Sequence, residues 1–129
     1  AMKAAIESGY NICIISGGNN EGVRIRLRNL GITDIHLASP DKVETFKEYV
    51  ELYNINPEQV LYMGDDIPDF HVMKLVGLPT CPQDATAEIK AISKYISHKN
   101  GGKGAVREVI EQVMKAQGKW HMYYNGKHD

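Results

Sequence analysis

Cysteine is scarce: the 129 residues carry only Cys13 and Cys81. Two thiols cannot form a disulfide framework. With no CxxC and no Cys/His spacing of a zinc site, both are expected to be buried thiols in a reducing compartment. Long apolar runs are missing too. The longest, Ile12–Ile15, is strand-sized, far short of the ~20 residues needed to span a bilayer. The opening stretch shows neither a charged n-region nor an apolar h-region, so neither a signal peptide nor a membrane partner is expected. Charge of one sign is not in excess. Fifteen basic and sixteen acidic residues give a net charge of −1, which argues against a nucleic-acid footprint. With 43% hydrophobic and 24% charged residues, the composition is that of an ordinary globular domain able to bury a core unaided.

What is present alternates. Apolar strand-like runs fall at Asn11–Ile15, Asp34–Leu37, Val60–Met63, Leu78–Cys81 and Tyr95–Ser97. The first is continuous, as for a strand buried on both faces. The fourth contains Pro79 and is expected near an edge. Helical periodicity covers Ala1–Ser8, Glu21–Leu30, a stretch after Ser39-Pro40 with Val43, Phe46, Val50 and Tyr53 on one face, a run to about Val76, Asp84–Ile92, and Ala105–Gln117. Ser39 is the expected N-cap of the third helix, with Pro40 at its first position. In the last, Val106, Val109, Ile110 and Val113 are expected to face inward. This α/β alternation predicts a Rossmann-like three-layer sandwich with a parallel sheet. Residues 1–118 would form its core and 119–129 a polar tail with Trp120, Tyr123 and Tyr124. The chain opens on a helix with no strand before it, so a first central strand is expected to be missing.

Ligands of open α/β sheets bind at the carboxyl ends of the strands. Three such loops carry chemistry. In Gly64-Asp65-Asp66-Ile67-Pro68-Asp69, three carboxylates repel unless a cation sits among them, and Mg2+ would relieve this. Helix capping by Asp66 or Asp69 is the structural alternative. In Ser16-Gly17-Gly18, a hydroxyl and backbone N–H groups before a helix suit a phosphate, or make a plain β–α turn. Glycine is absent from position 19, so the dinucleotide pattern GxGxxG does not apply. Lys42, in the first turn of a helix, opposes the helix dipole at a cost of a few tenths to ~1 kcal/mol. The alternative is a solvated lysine balanced by Asp41. A fourth candidate is Gly101-Gly102-Lys103-Gly104 with Arg107.

Hydroxyl, lysine and acidic cluster, in that order after successive strands, resemble the haloacid dehalogenase superfamily of phosphotransferases. The runs Ile14–Gly18, Leu30-Gly31-Ile32, Asp41-Lys42, Tyr62–Asp69, Val76-Gly77-Leu78 and Gly101–Glu108 are similar to its capless subfamily of 3-deoxy-D-manno-octulosonate 8-phosphate phosphatases. The resemblance reaches to about Trp120. It implies that Ser16, with Gly17 and Gly18, holds the transferring phosphoryl group, that Lys42 neutralises it, and that Asp65 ligates Mg2+. Asp66 and Asp69 would support that ligand or contact metal-bound water, Asp69 from the second shell. Gly102 and Arg107 would shape the sugar-acid end of the site. It further implies a cytoplasmic homotetramer acting on a small sugar-acid phosphate in lipopolysaccharide biosynthesis. The family often has Thr-Gly-Arg where this chain has Ser16-Gly17-Gly18. The family's nucleophile lies in an N-terminal Asp-x-Asp, and no Asp-x-Asp occurs here, so the 129 residues alone are expected not to turn over. A phosphatase of nine-carbon, sialic-acid-type 9-phosphates and a non-catalytic oligomerisation module of the same fold are the competing readings. A flavodoxin-like receiver is disfavoured because its acids precede its lysine.

Overall fold

The computed structural model describes residues 1–120. Residues 121–129, which include Tyr123 and Tyr124 of the expected tail, lie outside the described residues. The chain divides into two compact units, one made of Ala1–Ser39 and the segment from Arg107 on, the other of Pro40–Val106. The expected parallel sheet is realised as one parallel ladder in each unit.

In the first unit, α1 (Met2–Glu7) precedes β1 (Cys13–Ile15), and α2 (Glu21–Asn29) crosses over to β2 (Asp34–His36). The two strands pair in parallel, Cys13 opposite Asp34 and Ile15 opposite His36. Asn20 caps α2, its Oδ1 accepting the Gly22 N–H at 2.9 Å. The last helix, α6 (Ala105–Ala116), contributes Met114 to a core with Ala4 and Ala5, around which Tyr10, Ile12, Ile110 and Trp120 close.

Two expectations change here. Cys13–Ile15 is half-buried rather than buried on both faces, because β2 is its one hydrogen-bonded neighbour among the described residues. Burial and the charge of Asp34 still push the Cys13 thiol up to about 12. On α6 the buried face runs through Ala105, Glu108, Val109 and Met114. Val106, about 100° around the helix from Ala105, is therefore left 40% exposed instead of facing in.

The second unit runs through α3 (Lys42–Leu52), a 3₁₀ turn (Pro57–Gln59), β3 (Leu61–Met63), a second 3₁₀ turn (Ile67–Asp69), α4 (Phe70–Met73), β4 (Leu78–Cys81), α5 (Ala87–Ile92) and β5 (Tyr95–Ile96). Its ladder is parallel in the order β3-β4-β5. Met73, Cys81, Ala85 and Ile89 form the core, with Tyr62, Phe70 and Ile92 against them.

Here β4 is central, not an edge. Pro79 is tolerated because its missing N–H falls on the β5 side, before β5 begins. Its carbonyl still accepts the Lys94 N–H at 2.8 Å, while Leu78 donates to Val60 O on the other side at 3.1 Å. The cap of α3 is Asp41, not Ser39. Its carboxylate accepts the N–H groups of Val43 at 3.0 Å and Glu44 at 3.3 Å, so Pro40 lies outside the helix and Lys42 opens it. Tyr53 sits past the helix end and is half-exposed, against Tyr49. The helix expected to reach Val76 ends at Met73. Among the described residues no helix is long and apolar enough to cross a membrane.

Candidate active site

The acidic loop follows directly from β3. Gly64 donates to Thr80 O at 3.1 Å, closing the ladder, and the chain then turns sharply. The turn demands glycine. A Cβ at Gly64 would lie 2.5 Å from Asp69 Cβ and 2.8 Å from Met73 Sδ. Gly64→Ala should therefore destabilise by about 2 kcal/mol through overpacking. Urea unfolding checks this, and a midpoint within error of the parent would contradict it.

Asp69 is the hub of the loop. It is 3% exposed, and both of its oxygens are fully engaged. Oδ1 accepts from Lys42 Nζ at 2.9 Å and from the Tyr62 hydroxyl at 2.7 Å. Oδ2 accepts the backbone N–H groups of Asp65 at 3.0 Å and Asp66 at 3.4 Å. Burial alone would raise the Asp69 carboxyl. The bonds from Lys42, Tyr62 and Asp65, together with the lysine charge, outweigh it and hold the group below the usual carboxylate range.

Asp65 is perturbed the other way. Burial, then the negative charge of Asp69, raises its carboxyl, with Lys42 opposing. The hydrogen bonds that fix it run through its backbone: the N–H to Asp69, and the carbonyl accepting the Thr86 N–H at 3.1 Å. Two carboxylates four residues apart, pushed in opposite directions beside a lysine, are what a site built for charge chemistry shows.

The remaining candidates are placed as follows. Asp66 turns its Oδ1 to the Ile67 N–H at 2.8 Å and caps the 3₁₀ turn reciprocally with Asp69. Ser16 follows β1 in the first unit; its Oγ accepts the Gly18 N–H at 3.1 Å, folding Ser16-Gly17-Gly18 into a tight turn. Gly102 lies in the exposed loop before α6 in the second unit. Arg107, in the first, is exposed and donates to Glu111 Oε1 at 2.9 Å on its own helix. Sequence reasoning missed Tyr62. A phenol on the strand that feeds an acidic loop was the available signal.

The donor chemistry fits Mg2+. Mg2+ takes one or two protein carboxylates and completes its shell with water and phosphate oxygens. Among the described residues no three His, Cys, Asp or Glu side chains converge as a metal cage. What is offered is a hard oxygen donor, Asp65, whose charged form burial and Asp69 disfavour more than Lys42 relieves. Asp69, with both oxygens committed, can only support it from behind.

Comparison with known proteins is decisive for the family. The profile of the haloacid dehalogenase-like hydrolases matches residues 28–110. The chain belongs to this family. Among curated relatives, the 3-deoxy-D-manno-octulosonate 8-phosphate phosphatase of Salmonella typhi is 36% identical over 118 residues, covering 92% of this chain and 63% of the relative. The chain thus spans somewhat under two thirds of the length of that enzyme. Among solved structures, the corresponding phosphatase of Yersinia pestis superposes with a TM-score of 0.90 at 34% identity, over 93% of this chain and 65% of that one. The phosphatase of Moraxella catarrhalis, in complex with a magnesium ion, a phosphate ion and KDO, gives 0.91 at 32% identity, over 95% and 70%. The α/β fold with parallel sheets is therefore that of the haloacid dehalogenase-like phosphatases.

Proposed function

We propose that the chain is the phosphate- and metal-binding part of a Mg2+-dependent phosphomonoesterase that hydrolyses 3-deoxy-D-manno-octulosonate 8-phosphate to the free sugar acid and phosphate. The observation that carries this is the hydrogen-bonded set Lys42, Asp69 and the Asp65–Asp66 backbone, in a fold shared with a structure that holds magnesium, phosphate and the sugar acid. Lys42 keeps a fixed positive charge for the phosphoryl group, because Asp69 holds its Nζ in place. Asp65 presents its carboxylate to the metal, with Asp66 beside it. Ser16 and the N–H groups of Gly17 and Gly18 receive phosphoryl oxygens. Gly102 and Arg107 meet the sugar-acid end. Bound Mg2+ would neutralise phosphate charge and stabilise in-line transfer.

The attacking carboxylate has no counterpart among the 129 residues and is assigned to an Asp-x-Asp outside them. The working form is a cytoplasmic homotetramer acting in lipopolysaccharide biosynthesis.

The test is phosphate release by the complete gene product from the eight-carbon 8-phosphate and a nine-carbon sugar-acid 9-phosphate. Turnover of the first should dominate, vanish with EDTA and return with Mg2+, while the 129 residues alone stay inactive. Preference for the nine-carbon ester would overturn the substrate. No phosphatase activity at all would leave an assembly module of the same fold.

A further inference from the structure

Among the described residues, the glycine loop before α6 is closed on itself by the Lys103 N–H on Asn100 O at 3.0 Å and anchored to the segment after β4 by one side chain, which lies outside the site described so far. Past the last paired residues of β4 and β5, hydrogen bonding between the two segments continues. Ser97 donates to Cys81 O at 2.8 Å, and Gln83 N–H to Lys99 O at 2.9 Å. The Gln83 side chain reaches Ser97 O at 3.3 Å. Ser97, fully buried, accepts the Lys99 N–H on its Oγ at 3.1 Å. The series ends at Asp84, whose Oδ1 accepts the Gly101 N–H at 2.8 Å.

Gly101 itself rests on this segment: a Cβ there would meet Asp84 Oδ1 at 3.5 Å and Pro82 Cγ at 3.8 Å. Beyond it the loop opens out, and a Cβ on Gly102 would meet nothing within 4 Å. With three glycines in four residues, the loop has unusually large backbone freedom to lose on ordering. A carboxylate on a backbone N–H is a strong, directional restraint against that freedom.

We propose that Asp84 is a positioning residue. Through the Gly101 N–H its carboxylate holds Gly102–Gly104 in the conformation that receives the sugar-acid end of the substrate. This rests on the reading of Gly102 given above.

The experiment compares two esters on the complete gene product: the eight-carbon sugar-acid phosphate and p-nitrophenyl phosphate, which has no sugar acid. Asp84 is exposed, so Asp84→Ala should fold. It should raise KM for the sugar-acid phosphate about tenfold, leave kcat within twofold, and leave p-nitrophenyl phosphate kinetics unchanged. Asp84→Asn keeps an acceptor at Oδ1 and should restore most of the loss. In the 129-residue chain, the Gly101 amide of Asp84→Ala should exchange at least tenfold faster with solvent. An equal change on both esters, or no change in KM, would overturn the proposal. A parent enzyme that cleaves p-nitrophenyl phosphate but not the sugar-acid ester would instead overturn the reading of the loop, and this proposal with it. A fast Gly101 exchange in that case would show the restraint present but serving another ligand.

Discussion

Asp69→Asn should cost about 3–5 kcal/mol of folding stability, although the substitution changes neither shape nor volume. The cost follows from the hydrogen-bond inventory. A carboxylate accepts on both oxygens, whereas a carboxamide accepts on one and donates from the other. At Asp69 both oxygens face donors: Lys42 and Tyr62 on one, the Asp65 and Asp66 N–H groups on the other. Whichever way the amide turns, its NH2 confronts two donors inside a group that is 3% exposed. The lost charge also leaves the Lys42 ammonium, whose side chain is 18% exposed, without its partner. Desolvation of unpaired groups is the expensive side of hydrogen bonding. Tyr62→Phe removes one of the four bonds and should cost only about 1 kcal/mol. Urea unfolding at neutral pH, with the slope unchanged and the midpoint lowered, would read both values. An Asn variant within 1 kcal/mol of the parent would mean that Asp69 is not the hub its geometry describes.

The sequence was legible where local chemistry is strong. Strand runs, helix stripes and the acidic loop lie within a few residues of where they were read, and the family follows from Ser16, Lys42 and Asp65 in order. It was less legible where a choice depends on a neighbour. Ser39 and Asp41 are both good caps, and only the fold shows that the Asp41 carboxylate reaches two N–H groups. Pro79 reads as an edge residue because the strand that makes β4 central follows it by some fifteen residues and is only two residues long. Val106 fits the helical stripe, but Ala105 and Glu108 take the buried face. From the residues alone the acidic trio was legible only as a cluster; its division of labour, with Asp65 toward a cation and Asp69 behind it, came from the family resemblance. That Asp69 is consumed by internal bonds, leaving Asp65 presented, depends on Tyr62 and Lys42, seven and twenty-seven residues away.

That division of labour sets the second large expectation. Lys42→Met in the complete gene product should lower kcat/KM for the sugar-acid phosphate by about 10²–10³, the usual loss when one preorganised charge or donor at a developing oxyanion is removed. Lys42 sits at the first position of α3, where the helix dipole disfavours a cation, so its placement is a local cost that Asp69 offsets. One bond to Asp69 uses one of the three ammonium donors, which leaves two for the phosphoryl oxygens that the proposed function brings to it. Lys42→Arg should not recover the activity, because a planar guanidinium would pair with Asp69 through its fork and move the charge off the point where the ammonium stands. Met keeps the stem and loses the charge, so part of the change will be stability. Assays well below the unfolding midpoint separate the two, and Asp69→Asn, which keeps the lysine but frees it, should lose less turnover than Lys42→Met. If Lys42→Met retained activity within tenfold of the parent, the charge at Nζ would be serving the fold around Asp69 and not the phosphate.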